Sequence, residues 1–365
     1  GRSPPRGSEG FAAPLPPARP SVTPADLARE VRARALSLGF DLVGVARAEG
    51  IGRDALALDR WLDRGLHASM GWMERTRGER ANPGAVVEGC RSVVCVAVGY
   101  WPGREAAVVA AGRARVTLYA RGRDYHEVVG ARLRDLAGWI EAATGLPVRA
   151  CVDAAPVLER AWAERAGLGW IGKSSNLITR ALGSWVVLGE ILCAAEIEPS
   201  PGPHPDLCGS CAACIDACPA GAILEPGVVD AGRCVSYWTI EHRGDVPEDR
   251  RERNGAWIFG CDECQDACPW SRRAEDRAAA DPFAVREDLR GLDPVEVLAM
   301  DEAAFRSRFS GTPLMRARRE GMRRNACIVL GASREERAVE ALRRALEDED
   351  PVVRSHAAWA LARTG

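Results

Sequence analysis

The spacing of its cysteines constrains this chain more than any other sequence feature. Cys208, Cys211, Cys214 and Cys218 form a C-x2-C-x2-C-x3-C-P run, a shorter run holds Cys261, Cys264 and Cys268, and Cys234 lies between the two. The first spacing is the one that binds a [4Fe–4S] cluster in two-cluster ferredoxins, where the fourth cysteine of each run crosses to the other cluster. The cysteines therefore predict two [4Fe–4S] clusters.

If the fourth cysteine of each run crosses in this way, each cluster obtains four cysteine ligands. One cluster would take Cys208, Cys211, Cys214 and Cys268, and the other would take Cys218, Cys234, Cys261 and Cys264. Cys234 then supplies the ligand that the shorter run lacks. Zinc is the alternative, because paired C-x2-C runs also bind Zn²⁺, although zinc sites rarely use the x3-C-P ending.

Length and charge limit the remaining possibilities. The chain has 365 residues, which suggests two or more domains, and its net charge of -2 provides no overall field that would draw it onto nucleic acid or a membrane. Residues 1–22 are rich in Pro, Gly, Ala and Arg without an apolar core, so we expect a disordered tail and no secretory signal. Cluster-type cysteines and the lack of a bilayer-length apolar run point to the cytoplasm.

The order of segments predicts three structural parts. Strand-like and helical segments alternate over residues 23–200, which indicates an α/β (α+β) domain. A ferredoxin-like module with both clusters follows at 206–275. Residues 293–365 have only helical spacing, and 339–346 and 352–362 are similar to the two helices of a HEAT repeat.

Long motifs outside the cysteine runs carry a resemblance to a known family. They are Gly-Arg-Asp-Tyr-His at 122–126, Cys-Val-Asp-Ala-Ala-Pro-Val-Leu-Glu-Arg at 151–160, Gly-Leu-Gly-Trp-Ile-Gly-Lys-Ser-Ser-Asn-Leu at 167–177, and the segments 183–192 and 234–244. Together with 260–270 they resemble epoxyqueuosine reductase, a relative of the reductive dehalogenases. The resemblance covers about residues 24–365.

The resemblance implies a reaction and its cofactors. Members of this family bind cobalamin over the α/β domain, beside two [4Fe–4S] clusters. They reduce epoxyqueuosine to queuosine at the wobble position of a tRNA anticodon loop, the last step of queuosine biosynthesis. We therefore expect an oxidoreductase whose partners are a tRNA anticodon stem-loop and an unidentified electron donor. We also expect a monomer that does not bind membranes.

The resemblance also implies site residues. Asp153 matches the proton donor of the family, and a pKa raised by burial beside the corrin would let its carboxyl act as an acid near neutral pH. A capping residue at the end of a strand is the alternative. Cobalamin contacts are expected at Arg75, Asp153, Ser174, Asn176, Arg180 and Asp262.

A basic segment provides a candidate surface for tRNA. Residues 304–326 contain seven arginines and one glutamate, and the expected phosphate contacts are Arg316, Arg318, Arg319, Arg323 and Arg324. A solvated helix face is the alternative. Two rival functions remain open at this point: a dehalogenase-like reductase of a small molecule, and a ferredoxin-type electron carrier without enzymatic activity.

Overall fold

The architecture comes from a computed structural model that describes residues 22–49, 51–273 and 283–364. Apart from residue 22, the predicted N-terminal tail lies outside the described residues. The predicted helix at the start of the ordered chain is α1 (Pro24–Ser37), and its N-terminus is capped by Thr23, whose hydroxyl accepts the Asp26 N–H at 3.1 Å. None of the described helices is long and apolar enough to cross a bilayer.

A four-stranded sheet forms the centre of the N-terminal part. The helices of this part, after α1, are α2 (Gly52–Asp63), α3 (Gly71–Arg75), α4 (Arg77–Arg80), α5 (Arg104–Ala107), α6 (Tyr125–Thr144) and α7 (Glu159–Arg165). The strands are β1 (Leu42–Arg47), β2 (Ser92–Gly99), β3 (Arg115–Val116), β4 (Val148–Cys151), β5 (Trp170–Ile171), β6 (Leu177–Ile178) and β7 (Val186–Cys193). The sheet has the order β1-β2-β7-β4.

Every neighbouring pair in this sheet is antiparallel. The domain is therefore α+β, and the α/β half of the expectation is corrected. Alternation of strand and helix along a sequence fits both α/β and α+β domains. The direction of each strand depends on the end of the sheet at which the preceding connection re-enters it.

The sheet is covered by helices on both faces. Along β2, Val94, Val96 and Val98 pack into one core with α1 and α6. The intervening Val93, Cys95 and Ala97 pack into a second core with α7. The period of two follows from the alternating direction of side chains on a strand. Pairing with the buried strand β7 fixes the register of β4, and Asp153 follows the end of β4.

The middle of the chain consists of short elements around the cysteine runs. They are α8 (Ala213–Asp216), β8 (Ile223–Glu225), β9 (Val228–Val229), the π-helical turn Tyr237–Glu241, α9 (Glu248–Arg251), β10 (Trp257–Phe259), α10 (Glu263–Asp266) and α11 (Pro269–Arg273). Strand β10 pairs in parallel with β3, which ties this part to the N-terminal domain.

The C-terminal part is helical, as the sequence predicts. It contains α12 (Pro294–Leu298), α13 (Glu302–Phe309), α14 (Arg318–Ser333), α15 (Val339–Ala345) and α16 (Pro351–Thr364). Its core continues into the middle of the molecule, because Val116, Ile258 and Phe259 pack in the same apolar cluster as the buried faces of α14 and α16. The C-terminal helices are thus firmly attached to the segment that carries the cysteines.

Candidate active site

The first predicted cluster set lines one cavity. Cys208, Cys211, Cys214 and Cys268 surround it together with Trp270. Burial raises the pKa of Cys214, and the thiolates of Cys208, Cys268 and Cys211 raise it further, so the four sulfur atoms lie within electrostatic reach of one another. Cys268 reaches this set from the second run, as the crossed arrangement requires.

The second predicted set is also brought together. Burial raises the pKa of Cys234, and the nearby Cys218 adds to this rise. Burial also raises the pKa of Cys261, and the nearby Cys234 and Cys264 add to that rise. Cys264 in turn lies near Cys214 of the first set as well as near Cys234 and Cys218. All eight thiols are free of disulfides. Two adjoining sets of four free thiols form a donor set that fits two [4Fe–4S] clusters.

The turn at residues 173–176 connects both thiol sets to the α+β domain. The Lys173 ammonium donates to the carbonyl oxygens of Gly209 and Cys211 at 2.6 and 2.9 Å. On the other side, the Asn176 amide donates to the Cys264 sulfur at 3.7 Å. The Arg160 guanidinium of α7 donates to the Ser175 carbonyl at 2.6 Å. The turn is therefore held from the first thiol set, the second thiol set and α7 at once.

Asp153 stands on the short loop between β4 and α7. Its backbone has φ = 50°, in the left-handed region that a non-glycine residue adopts only when its surroundings hold it there. The Tyr125 hydroxyl donates to Asp153 Oδ2 at 2.6 Å, and His126 Nε2 lies 3.3 Å from the same oxygen. The Asp153 N–H donates to the Glu159 carboxylate. Arg160 contributes a positive charge nearby.

The protonation of Asp153 depends on its charged neighbours. Its side chain is 57% exposed. The hydrogen bond from His126 lowers the pKa of Asp153 below its ordinary value, and it outweighs the opposing effect of burial. The expected rise concerned burial beside a bound corrin and stays a prediction; here the cationic partner beside the carboxyl favours its ionised form.

His126 holds the proton instead. Its hydrogen bond with Asp124, together with that to Asp153, raises the pKa of the imidazole to about 9. Asp124 Oδ1 lies 2.8 Å from Nδ1. The motif at 122–126 was part of the resemblance, but the sequence did not predict that its histidine would meet Asp153, because the two residues are joined only by the packing of α6 against β4.

The predicted cobalamin contacts divide into two kinds. Arg75 and Arg180 are exposed, and Ser174 and Asn176 are half-buried on the 173–176 turn, where the Asn176 amide donates to the Ser174 hydroxyl at 3.3 Å. Asp262 is different. It is 1% exposed, and its carboxylate accepts the Leu118 N–H at 2.8 Å and the Thr117 hydroxyl. The expectation for Asp262 is corrected, because both oxygens are used inside the protein.

Two of the five predicted tRNA contacts are structural residues. Arg324 is 1% exposed and donates to the carbonyls of Trp238, His242 and Gly244 at 2.6 to 3.0 Å. Arg323 is 9% exposed and is bound to Asp348 and to the Leu298 carbonyl. Neither guanidinium is available to a phosphate. This corrects the prediction, since both lie on the buried face of α14.

Of the other three arginines, two lie at the surface, and the third, Arg319, has a side chain that is 14% exposed. Arg318 is exposed, Arg316 pairs with Glu241 at 2.8 Å, and Arg319 pairs with Glu349 at 3.1 Å. The Arg316 guanidinium also stacks over the Trp72 ring at 5.5 Å. Asp153 and Tyr125 act electrostatically on Arg316, which places this arginine on the rim of the site.

Three family models match parts of the chain. The model described as epoxyqueuosine reductase QueG matches residues 80–154, the 4Fe-4S double cluster binding domain matches 207–271, and HEAT repeats match 313–365. The chain thus carries a double-cluster 4Fe-4S binding domain and a HEAT segment in the order that the sequence predicts.

Curated relatives match over nearly the whole length. The epoxyqueuosine reductase of Gloeobacter violaceus is 44% identical over 85% of this chain and 97% of the relative. That of Xanthomonas campestris is 42% identical over 95% of this chain and 98% of the relative. That of Pseudomonas aeruginosa is 40% identical over 94% of this chain and 96% of the relative.

Solved structures of similar proteins have the same fold. A crystal structure of epoxyqueuosine reductase with an epoxyqueuosine-modified tRNA-Tyr stem loop aligns with a TM-score of 0.85 at 28% identity, over 93% of this chain and 90% of that one. A structure of the Bacillus subtilis enzyme, whose catalytic aspartate loop is swung out of the active site, aligns with a TM-score of 0.84 at 28% identity, over the same shares.

Proposed function

Because this chain belongs to the epoxyqueuosine reductase family, we propose that it reduces epoxyqueuosine to queuosine in the anticodon loop of a tRNA. The observation that carries the proposal is the position of the Asp153 carboxyl. It lies exposed on a constrained loop, and Arg160 connects its surroundings to the turn that contacts both thiol sets. A reductive site needs this proximity of a proton-transferring group to an electron source.

We assign the electron source to the eight thiols. Cys208, Cys211, Cys214 and Cys268 would hold one [4Fe–4S] cluster, and Cys218, Cys234, Cys261 and Cys264 would hold the other. The matched double-cluster domain and the two thiol sets support this assignment. When bound, the clusters supply single electrons. Through Lys173 and Asn176 the 173–176 turn of the α+β domain contacts both sets.

Cobalamin is the proposed group between the clusters and the substrate. The chemistry of the exposed side chains fits a large polar cofactor. Ser174 and Asn176 offer a hydroxyl and an amide on the turn, Asp153 offers a carboxyl, and Arg75 and Arg180 offer exposed guanidinium groups. These residues would hold it, and its cobalt, when bound, supplies the reducing electrons to the epoxide. Asp262 is left out of this set, because it is fully engaged with Thr117 and Leu118.

Proton delivery is assigned to Asp153 and His126 together. Loss of the epoxide oxygen as water takes two electrons and two protons, and general acid assistance accelerates such steps by about 10²–10⁴-fold. At neutral pH the proton lies on His126 Nε2, 3.3 Å from Asp153 Oδ2. We assign to His126 the transfer of one of the two protons to the substrate oxygen by way of the Asp153 carboxyl, and solvent water supplies the second. Tyr125 fixes the carboxyl orientation through its hydroxyl.

The anticodon loop would meet the rim that bears Arg316 and Arg318. A positive charge attracts the phosphate backbone, and an aromatic ring such as Trp72 provides a face for an unstacked base. The relative whose crystal structure contains a modified tRNA stem loop supports this class of partner. We propose Arg316 and Arg318 as the phosphate contacts that remain. Arg319 is left out with Arg323 and Arg324, because its side chain is 14% exposed and lies between Glu302 and Glu349.

A single assay separates this function from its rivals. Anaerobically purified protein is loaded with cobalamin and incubated with a reductant and an epoxyqueuosine-modified stem loop, and the nucleosides are quantified by mass spectrometry. We expect conversion to queuosine. Removal of halide from a halogenated phenol without conversion of the stem loop would indicate the dehalogenase-like reaction. Electron transfer to an acceptor protein without either turnover would indicate a carrier.

A further inference from the structure

The side-chain amide of Asn176 contacts a sulfur atom of the second thiol set. Its nitrogen lies 3.3 Å from the Ser174 hydroxyl and 3.7 Å from the Cys264 sulfur. An amide nitrogen carries two hydrogens and accepts none, so one hydrogen serves each of these partners. The opposite orientation of the amide would set its oxygen against the sulfur. The contact with Cys264 is therefore an N–H···S hydrogen bond whose donor comes from outside the cysteine runs.

The loop that carries Asn176 is held on several sides. It joins β5 to β6 and is closed by the Gly172 N–H, which donates to the Asn176 carbonyl at 2.9 Å. Gly227, between β8 and β9, donates its N–H to the Lys173 carbonyl at 2.9 Å and accepts the Ser175 hydroxyl at 2.6 Å. The chain thus positions the Asn176 amide beside the sulfur through contacts that do not involve a cofactor.

A second donor reaches another sulfur of the same set. The backbone N–H of Ala222 lies 3.2 Å from the Cys218 sulfur. Hydrogen bonds to the sulfur ligands are one of the factors that set the reduction potential of an iron–sulfur cluster. They raise it because a donor stabilises the negative charge that the cluster gains with its electron. The Asn176 donor belongs to a side chain, so substitution can remove it, whereas the Ala222 donor belongs to the backbone.

We propose that Asn176 is a redox-tuning residue that raises the reduction potential of the cluster in the second thiol set. This inference rests on the proposed function, since it takes that set as the ligands of a [4Fe–4S] cluster. The sulfur contact uses only the nitrogen of the amide, so it is compatible with the cobalamin contact proposed for the same side chain. A higher potential in the second set favours passage of an electron into it from the first set.

A redox titration followed by EPR tests the proposal without cobalamin or stem loop. The protein carries both clusters, and dithionite supplies the electrons. Asn176→Leu keeps the size of the side chain but removes the donor. We expect the equilibrium constant for reduction of one cluster to fall about tenfold, which is about 59 mV for one electron, and that of the other cluster to stay at the wild-type value.

Asn82→Leu is the matched control for the leucine substitution. The Asn82 amide oxygen accepts the Gly84 N–H at 3.0 Å, in the turn before β2, and the variant should keep both wild-type potentials. Two wild-type potentials in Asn176→Leu, with both clusters intact, would overturn the proposal.

Asn176→Asp adds a graded expectation. Its carboxylate has the size of the amide but places a negative charge where the donor stood, and this charge opposes the electron that enters the cluster. The same potential should therefore fall further than in Asn176→Leu. A potential at or above the wild-type value in Asn176→Asp is incompatible with the proposed role.

Wild-type protein alone decides the question if neither variant assembles both clusters. The chain has four asparagines, at positions 82, 176, 254 and 325, so ¹⁵N labelling of asparagine side chains marks few groups. Pulse EPR of the reduced protein should detect a ¹⁵N coupling through the N–H···S bond, and its absence would overturn the proposal. Fewer than about eight irons in the wild type would instead contradict the assignment of the thiols to two clusters. The two failures are therefore distinguishable.

Discussion

Asp153 shows how one side chain acquires its chemistry from its neighbours. The carboxyl receives hydrogen bonds from Tyr125 and His126, and these hold its pKa below the ordinary value. The proton that the reaction requires is thus stored one group away, on the imidazole. Without His126, an exposed aspartate would have no protonated neighbour at neutral pH.

Replacing Asp153 tests its role in proton delivery. Asp153→Asn keeps the size of the side chain but cannot carry the transferred proton, so we expect kcat on the modified stem loop to fall by at least about 100-fold. The iron content and the cobalamin absorption should match those of wild type. Asp135→Asn, an exposed residue of α6, is the matched control. Full activity in Asp153→Asn would remove this carboxyl from the mechanism.

The raised pKa of His126 has a consequence for stability. The folded protein binds this proton more tightly than the unfolded chain, so the contribution is complete below the unfolded pKa of 6.5 and is lost as the pH rises through about 9. Because the side chain is 40% exposed, solvent screening limits the contribution to about 0.5–1 kcal/mol. Urea denaturation should show His126→Asn to be less stable than wild type at pH 6, with the difference shrinking by pH 10. A difference independent of pH would contradict the assignment.

At the level of elements, helix α14 is where sequence and structure diverge most. Its arginines form a conspicuous basic run, but the run says nothing about which residues face the core. Arg324 turns inward to carbonyl groups of the π-helical turn Tyr237–Glu241 and the loop after it, whereas Arg323 turns inward to Asp348 and the Leu298 carbonyl. A buried arginine that satisfies several carbonyls cannot be recognised from one sequence, because its partners lie about 80 residues away.

The buried position of Arg324 predicts a loss of stability rather than a specific loss of RNA affinity. Arg324→Ala removes the donors for the carbonyls of Trp238, His242 and Gly244. We expect the free energy of unfolding to fall by about 3 kcal/mol, as measured by chemical denaturation. A fully stable variant would show that α14 does not depend on this contact.

Arg318 provides the contrasting variant on the same helix. Its exposed side chain has room to contact a phosphate, so Arg318→Ala should weaken stem-loop binding severalfold and reduce the slope of log affinity against log salt by about 1. Its stability should change by less than about 0.5 kcal/mol. Fluorescence anisotropy at several salt concentrations measures both effects. An unchanged salt slope would place the RNA elsewhere.

Other elements follow directly from local sequence. Helix α1 begins where Thr23 and Pro24 predict, and the HEAT-like helices α15 and α16 lie within a few residues of their predicted positions. The cysteines of the two runs and Cys234 lie in one region, whereas their division into two crossed ligand sets stays a prediction. Contacts between distant segments determine the strand directions, and they also bring Asp153 to His126 and Glu159. The spacing of residues in the sequence does not predict these contacts.

For the whole molecule, the proposed crossing of the cysteines would join both runs into one module. Cys268 lies in the second run but reaches the first thiol set, whereas Cys218 does the reverse. The module is anchored to the α+β domain through Lys173 and Asn176, and to the C-terminal helices through the shared core around Ile258. Electrons, protons and RNA would thus converge on one side of a single structural unit.

Paired cysteine variants test the crossing. Two intact clusters correspond to about eight irons per chain. If the sets are crossed, Cys211→Ser combined with Cys268→Ser should lose about four irons, because both residues serve one cluster. Cys264→Ser combined with Cys268→Ser should lose nearly all of the iron. The opposite pattern in anaerobic iron and sulfide analysis would show that each run binds its own cluster.

The most direct test of the whole account is a single-turnover experiment under strict exclusion of oxygen. Protein with both clusters reduced is mixed with epoxyqueuosine-modified stem loop, with and without cobalamin, and queuosine is quantified by mass spectrometry. The account predicts queuosine only in the sample that contains cobalamin, and at least about 100-fold less in Asp153→Asn. Equal amounts of queuosine with and without cobalamin, or none in the fully loaded wild-type protein, would contradict it.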